Sequence, residues 1–215
     1  MPPPMFPPTL LDDEGYPIWV TALADRSHSM VLYVVRGLDP ASALEQVGAR
    51  PRQIRPVQLP TGPPASEWSS LALEAVGVAP GDGSALLAAQ VGDWTMVYDG
   101  GGMTAGSDRL ADLSSDGRQA ASCSDNIESD THLAYAADGE DLFWVGEPVS
   151  VYRLEELPDG LRPAAQAAGI DWSDDGDDDR EWSPAENFRV TCALADLRLT
   201  LDHIRALPLL GAAFG

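Results

Sequence analysis

The densest group of potential metal ligands in the sequence is an acidic run at residues 171–181. It holds seven carboxylates against one arginine, which gives the run a net charge of −6. Carboxylate oxygens are among the ligands that Ca²⁺ prefers in proteins. Aligned to an EF-hand calcium loop through Gly176, the run places Asp171 at the first position but Trp182 at the twelfth, where a bidentate glutamate is required. A divalent-cation-responsive module is therefore an alternative only, and we predict no specific metal site.

The same run is better suited to contacts with a basic protein. Trp172 and Trp182 bracket it, and tryptophan is enriched among the residues that dominate binding energy at protein interfaces. We predict a solvated acidic loop at residues 171–182 that binds a partner. The predicted partner-binding residues are Asp171, Trp172, Asp174, Asp175, Asp177, Asp178, Asp179, Glu181 and Trp182.

A glycine-rich turn offers a second candidate site, for a nucleotide. Gly100-x-Gly102-x-x-Ala105 follows a predicted strand, precedes a predicted helix and matches the dinucleotide-binding fingerprint in form. Asp125 follows about 20 residues later, as the ribose-binding acidic residue does in that fingerprint. Asp99, however, stands directly before the glycines, where its charge repels a pyrophosphate. The preceding strand also belongs to a predicted hairpin, so a nucleotide-binding enzyme that uses this loop is kept as an alternative only.

The remaining nucleophilic and basic side chains do not group in the sequence. None of the three histidines, His28, His132 and His203, lies at metal-ligand spacing from another histidine or a cysteine. Cys123 and Cys192 have apolar or small neighbours, which indicates buried thiols. The sequence also lacks a Gly-x-Ser-x-Gly elbow, a Walker A loop and a His-Glu-x-x-His motif. We therefore predict no catalytic residues, no cofactor and no enzyme activity.

The charge of the chain restricts its partners. Its 215 residues carry a formal net charge of −21, and all 13 basic residues are arginines. So negative a potential repels nucleic acids and anionic membranes and attracts basic surfaces. No apolar run approaches the roughly 20 residues that span a bilayer. The proline-rich start lacks the basic and apolar regions of a secretory signal, so we expect a cytoplasmic protein. The sequence does not indicate an oligomeric state.

Two hairpins are the clearest structural signals. The first joins residues 85–91 and 94–98 through Gly92-Asp93, and the second joins residues 132–137 and 140–145 through Asp138-Gly139. Further strands are expected at residues 18–23, 30–36, 54–59 and 118–124. For the tryptophans on or beside these strands, Trp19, Trp94 and Trp144, we expect core packing.

Helical signals surround these strands. Asp39 is a predicted N-cap, with Pro40 at the first helical position and Gly48 at the end of the helix. Further helices are expected at residues 67–76, 104–113, 158–168, 184–197 and 201–207. We predict an α+β fold, a mostly antiparallel meander packed against several helices with a helical C-terminal third. Residues 1–12 are expected as a flexible proline-rich arm and residues 13–215 as a single domain.

Several segments also carry a family resemblance. The run Val-Val-Arg-Gly-Leu-Asp-Pro at residues 34–40, the Gly92-Asp93-Trp94 turn, the acidic linker and the Ala-Leu-Ala of the last long helix (residues 193–195) occur in a characteristic order. In these features the chain resembles an actinobacterial family of unknown function. It is more distantly similar to SUKH-type immunity proteins. The family resemblance implies no catalytic residues, and the likeness to immunity proteins implies a protein partner.

These observations favour a non-catalytic protein-binding module. The preferred form is an immunity-like or antitoxin-like protein that masks a basic partner protein, for example a toxin domain, through an acidic surface. Neither a nucleic acid nor a membrane is expected as a partner.

Overall fold

A computed structural model describes residues 5–24, 29–105, 108–126, 131–146, 154–170 and 183–215. The strands in these ranges are β1 (Met30–Arg36), β2 (Arg55–Pro56), β3 (Ser84–Val91), β4 (Trp94–Asp99), β5 (Gln119–Asp125), β6 (His132–Ala137), β7 (Glu140–Gly146) and β8 (Leu210–Phe214). The helices are α1 (Ile18–Leu23), α2 (Pro40–Gln46), α3 (Leu71–Val76), α4 (Asp108–Ser114), α5 (Arg162–Ala167), α6 (Pro184–Leu194) and α7 (Leu201–Ala206). Short 3₁₀ turns lie at Pro8–Leu10, Pro51–Gln53 and Leu154–Glu156.

The strands form one sheet in the order β2-β8-β3-β4-β1-β5-β6-β7. Every neighbouring pair is antiparallel. The continuous apolar strand β1 lies between β4 and β5, where both of its edges are paired and six of its seven residues are buried. The predicted α+β class is confirmed: the sheet is antiparallel, and helices, including α5–α7 in the C-terminal part, pack against it.

Both predicted hairpins are confirmed, and their turn residues have the expected backbone. Gly92 has a φ of +57°, and Val91 pairs with Trp94 across the first turn. Asp138 and Gly139 have φ values of +52° and +79°, as a two-residue type I′ turn requires. These turns set the register of β3 with β4 and of β6 with β7.

Helices cover both faces of the sheet. The first face, which carries Leu32, Tyr98 and Cys123, packs in the larger core against α1, α3, α5, α6 and α7. The second face, which carries Tyr33 and Val97, packs against α2 and α4 in a smaller core. The predicted N-cap of α2 is confirmed, because the Asp39 carboxylate accepts hydrogen bonds from the N–H groups at the start of that helix.

Residues 18–23 were expected as a strand, and that prediction is wrong. The segment forms α1 directly after Pro17, and Trp19, Val20 and Leu23 are fully buried. Spacings of three and four residues place Trp19, Val20 and Leu23 on one helical face against the core. The β-branched residues in this short run favour a strand locally, and tertiary packing overrides that preference.

The C-terminal end departs from the purely helical prediction. Residues 210–214 form β8, which inserts between β2 and β3. The expected N-terminal arm also packs onto the fold, since Phe6 is buried in the larger core and its N–H donates to the carbonyl of Ala167 at 2.7 Å. Among the described residues, no helix is long and apolar enough to cross a membrane.

Candidate functional site

The predicted partner-binding loop at residues 171–182 lies outside the described residues. The structure therefore provides no geometry for the acidic run or for its two tryptophans, and their role stays a prediction. His28 also lies outside the described residues. The remaining candidates fall within the described ranges.

The glycine turn at residues 100–102 is organised by a carboxylate of the chain itself. Asp99 is fully buried and accepts hydrogen bonds from the N–H of Gly101 at 3.0 Å and the N–H of Thr104 at 2.7 Å. The hydroxyl of Ser84 donates to the same carboxylate. The backbone N–H groups that cradle phosphate in a nucleotide-binding turn are thus occupied by an internal anion.

The surroundings of that turn differ from a dinucleotide site in two further respects. Strand β4, which leads into it, is antiparallel to both β3 and β1. Asp125, in the position of the ribose-binding acid, accepts a hydrogen bond from the hydroxyl of Tyr16 at 2.6 Å. Burial, together with this hydrogen bond, raises the pKa of Tyr16. The fingerprint therefore matches in spacing but not in structure.

Some arginines of the described residues bind backbone carbonyls of the chain itself. Arg162 donates to the carbonyls of Leu154, Glu155 and Leu157, and Arg55 donates to the carbonyl of Val76. Guanidinium groups have several donors in a fixed geometry, so they can bind several carbonyls at once. These hydrogen bonds hold the segments that carry the arginines against the segments that carry the carbonyls.

The ion pairs differ in exposure. Both side chains are largely covered between Arg189 and Glu186, and both are exposed between Arg36 and Asp93, whereas two other pairs are asymmetric. In the pair between Arg118 and Asp116, the arginine side chain is 16% exposed and the aspartate side chain 83%. In the pair between Arg205 and Asp202, the values are 22% and 85%. The positive member of each asymmetric pair lies against the protein and the negative member faces solvent. At these two pairs an approaching molecule meets the carboxylate first.

Strand β7 is the last strand of the sheet beside β6 within the described ranges. It pairs with β6 on one side, and on its other side no strand pairs with it among the described residues. Phe143 and Val145 point into the larger core, whereas Leu142 and Trp144 are each 48% exposed.

Trp144 has a defined position on the second face. A Cβ atom added to Gly146 would lie 2.7 Å from Cζ2 of Trp144, so the indole lies directly over that glycine. Gly146 is the cross-strand partner of His132, and Trp144 is the partner of Ala134. The glycine thus provides the space in which the indole packs, beside His132.

His132 is held between two serines of β5. Its Nδ1 lies 2.6 Å from the hydroxyl oxygen of Ser124, and its Nε2 lies 3.3 Å from that of Ser122. A neutral imidazole satisfies both contacts, since one nitrogen donates and the other accepts. Burial lowers the pKa of His132 and so favours this neutral form. Both serines are buried and both partners are hydroxyls, so neither supplies the carboxylate of a Ser-His-Asp triad.

The other candidates have structural positions. Cys123 and Cys192 are free and fully buried, and burial raises the pKa of each thiol. His203 belongs to a capping box at the start of α7, where its Nδ1 accepts from the N–H of Thr200. Within the described ranges, no group of three or more histidine, cysteine, aspartate or glutamate side chains could hold a metal ion.

A family model described as "Family of unknown function (DUF6461)" matches residues 15–211. The chain belongs to this family. The match covers α1 through the start of β8, and so includes the glycine turn, the His132 cluster and β7. No curated protein and no solved structure matches the chain. The expected membership of a family of unknown function is thus confirmed. The likeness to immunity proteins stays a prediction.

The exposed tryptophan was not predicted. Core packing was expected for Trp19, Trp94 and Trp144, but only Trp19 is fully buried, and Trp144 is half-exposed. The alternation along residues 140–146 does place Trp144 opposite the buried Phe143 and Val145. What the sequence does not reveal is that β7 is the last strand of the sheet among the described residues, because strand order is a property of the whole fold.

Proposed function

We propose that this chain is a non-catalytic protein-binding module whose acidic surface binds a basic partner protein. The observation that carries the proposal is the asymmetry of two ion pairs. Asp116 and Asp202 face solvent while their arginine partners are largely covered. At these pairs the carboxylate, and not the guanidinium, faces an approaching partner, in a chain whose net charge is −21.

Such a surface has definite binding properties. Complementary charge steers association, suppresses acidic partners and makes affinity sensitive to salt. An immunity-like or antitoxin-like protein that masks a basic toxin domain is one form of this module. The predicted loop at residues 171–182 adds carboxylates and two tryptophans to the same function.

The alternative of a nucleotide-binding enzyme is less well supported. A phosphate group at the glycine turn would have to displace the Asp99 carboxylate from the N–H groups of Gly101 and Thr104. The phosphate would then lie beside the buried Asp99 carboxylate, and burying two like charges together is costly. The hydrogen bonds of Asp99 therefore favour the binding module.

The test is capture of the partner from the source cell, followed by reconstitution. The tagged full-length chain is cross-linked in cells, the recovered proteins are identified, and each is purified and mixed with the chain. We expect one basic protein, with a pI above about 9, to re-form a complex from purified components. Recovery of only neutral or acidic partners, or of none that re-forms a complex, would contradict the proposal.

A further inference from the structure

We infer that Arg50, Arg52 and Arg109 form an anion-binding site, and that its ligand is a compact molecule with two or more phosphate or carboxylate groups. The inference goes beyond the proposed function, since these guanidinium groups would repel a basic partner protein. It is carried by a stretch of chain without carboxylates, by the arginines that have no acidic partner, and by the position of the Arg109 guanidinium.

The stretch at residues 46–66 contains no aspartate or glutamate, in a chain whose 34 acidic residues far outnumber its 13 arginines. It contains Arg50, Arg52 and Arg55, which follow the end of α2 and lead through the 3₁₀ turn Pro51–Gln53 into β2. Arg50 and Arg52 are exposed. The stretch is therefore positively charged, although the molecule as a whole is strongly negative.

The arginines without an acidic partner lie in or beside this stretch. Most arginines of the described ranges form ion pairs with carboxylates, namely Arg36, Arg118, Arg162, Arg189, Arg198 and Arg205. The others in these ranges pair with no carboxylate there, namely Arg50, Arg52, Arg55 and Arg109. Arg55 instead donates to the carbonyl of Val76 at 2.7 Å. Arg50, Arg52 and Arg109 are thus the cations that an anionic ligand can neutralise.

Arg109 reaches the stretch from α4 and is held there. A Cβ atom added to Gly48 would lie 2.8 Å from Nη1 of Arg109, so the guanidinium lies against Gly48, two residues before Arg50. The ring of Phe214 lies beside it, with its centroid 5.6 Å from Cζ of Arg109. Nη1 is buried and has no hydrogen-bond partner. A covered, unpaired cation is costly, and an oxyanion at the remaining nitrogens of this partly exposed side chain supplies the missing charge.

The spacing of the cations and the surrounding charge determine the size of the ligand. Along β8, Gly211 pairs with Arg55, and Phe214, three residues later, contacts Arg109. Three residues of a strand span about 10 Å, so two oxyanions of one small molecule reach the cations. An extended polyanion would also meet the exposed Glu45 on α2 and the net charge of −21. Guanidinium groups bind phosphate and carboxylate alike in bidentate pairs, so the shared chemistry is that of an oxyanion.

Isothermal titration of the full chain tests the site with three probes, which are inorganic pyrophosphate, citrate and acetate. Pyrophosphate and citrate each carry several anionic groups, whereas acetate carries one. The buffer contains no divalent cation, because the first two probes chelate such ions. The position of the bound probe is followed by amide hydrogen exchange. Tighter binding of pyrophosphate assigns the site to phosphate groups, and tighter binding of citrate assigns it to carboxylates.

The expected result is that pyrophosphate or citrate binds with a dissociation constant below about 1 mM, protects residues 48–54 and binds at least about tenfold more tightly than acetate. The double variant Arg50→Gln with Arg52→Gln weakens this binding by at least about tenfold, and Arg109→Gln does the same. The matched double variant Arg36→Gln with Arg198→Gln, which removes two arginines that pair with Asp93 and Asp196, leaves the affinity within about twofold.

A thermal melt verifies that each variant is folded. If Arg109→Gln does not fold, the double variant decides alone, because Arg50 and Arg52 are exposed. The absence of binding by both pyrophosphate and citrate up to about 10 mM would overturn the inference. Equal affinity for acetate, protection only at positions remote from residues 48–54, or equal weakening in the two double variants would also overturn it. The proposed function is tested separately, by capture of a basic partner.

Discussion

The carboxylate of Asp99 accepts a hydrogen bond from the backbone N–H of Thr104 at 2.7 Å, across the glycine turn that follows it. This contact converts an apparent nucleotide fingerprint into a structural turn. Replacing Asp99 with asparagine leaves one acceptor oxygen for donors that include the N–H of Gly101 and the hydroxyl of Ser84. We expect Asp99→Asn to lower the free energy of unfolding by about 2–3 kcal/mol, because buried donors lose their partner.

Urea denaturation measures this loss. The matched control is Asp93→Asn, which removes the same charge from the exposed turn between β3 and β4. A surface ion pair such as that of Asp93 with Arg36 contributes at most about 1 kcal/mol. Similar stability in the two variants would show that Asp99 does not organise the turn. A nucleotide that stabilises the wild-type chain would restore the nucleotide alternative.

The His132 cluster predicts a pH dependence of stability. Burial lowers the pKa of His132 in the folded chain, so the unfolded chain binds this proton more readily. The stabilisation is therefore complete above the ordinary histidine pKa of about 6.5 and is lost as the pH falls from there towards the folded value. His132→Gln retains polar contacts without a titrating group.

Denaturant titrations between about pH 8 and about pH 5.5 measure the effect, above the range in which most carboxylates titrate. Wild type should lose stability relative to His132→Gln as the pH falls. The control is His203→Gln, because glutamine can replace the exposed His203 in its capping box. Parallel pH curves for wild type and His132→Gln would contradict the prediction.

The close packing of β8 at Gly211 predicts that a larger residue there destabilises the fold. A Cβ atom there would lie 2.8 Å from Cγ1 of Val76 and 2.9 Å from Cγ2 of Val57. Gly211→Ala should therefore destabilise the chain by about 1–3 kcal/mol through overpacking. Gly62→Ala is the control, since a Cβ atom at Gly62 has no neighbour within 4 Å. If the two variants melt at the same temperature, β8 does not pack as described.

The parts of the fold that were predictable depend on local chemistry. Gly92 and the Asp138-Gly139 pair have positive φ, and the turns they form follow from residue type alone. Asp39 and Pro40 specify the start of α2 in the same local way. In contrast, β8 has no β-branched residue, and it forms because Leu87 and Gly211, far apart in sequence, become neighbours. The residues around either segment do not indicate that the two segments pair.

For the candidate site, the sequence predicts the overall charge but not where the charged and aromatic side chains lie. The net charge follows from composition, but the inward position of Arg118 and Arg205 and the outward position of their aspartates depend on tertiary contacts. The exposure of Trp144 likewise depends on β7 lying at the end of the sheet. Sequence reasoning therefore gives the net charge but not the position or exposure of these side chains.

The most direct test is the salt dependence of the dissociation constant for the reconstituted complex with the captured partner. Isothermal titration between about 50 mM and about 300 mM NaCl covers the range in which surface charges become screened. An outward-facing carboxylate surface predicts at least about tenfold weaker binding at the higher salt concentration, with slower association. A dissociation constant that is unchanged, or that becomes tighter with salt, would contradict recognition through the acidic surface.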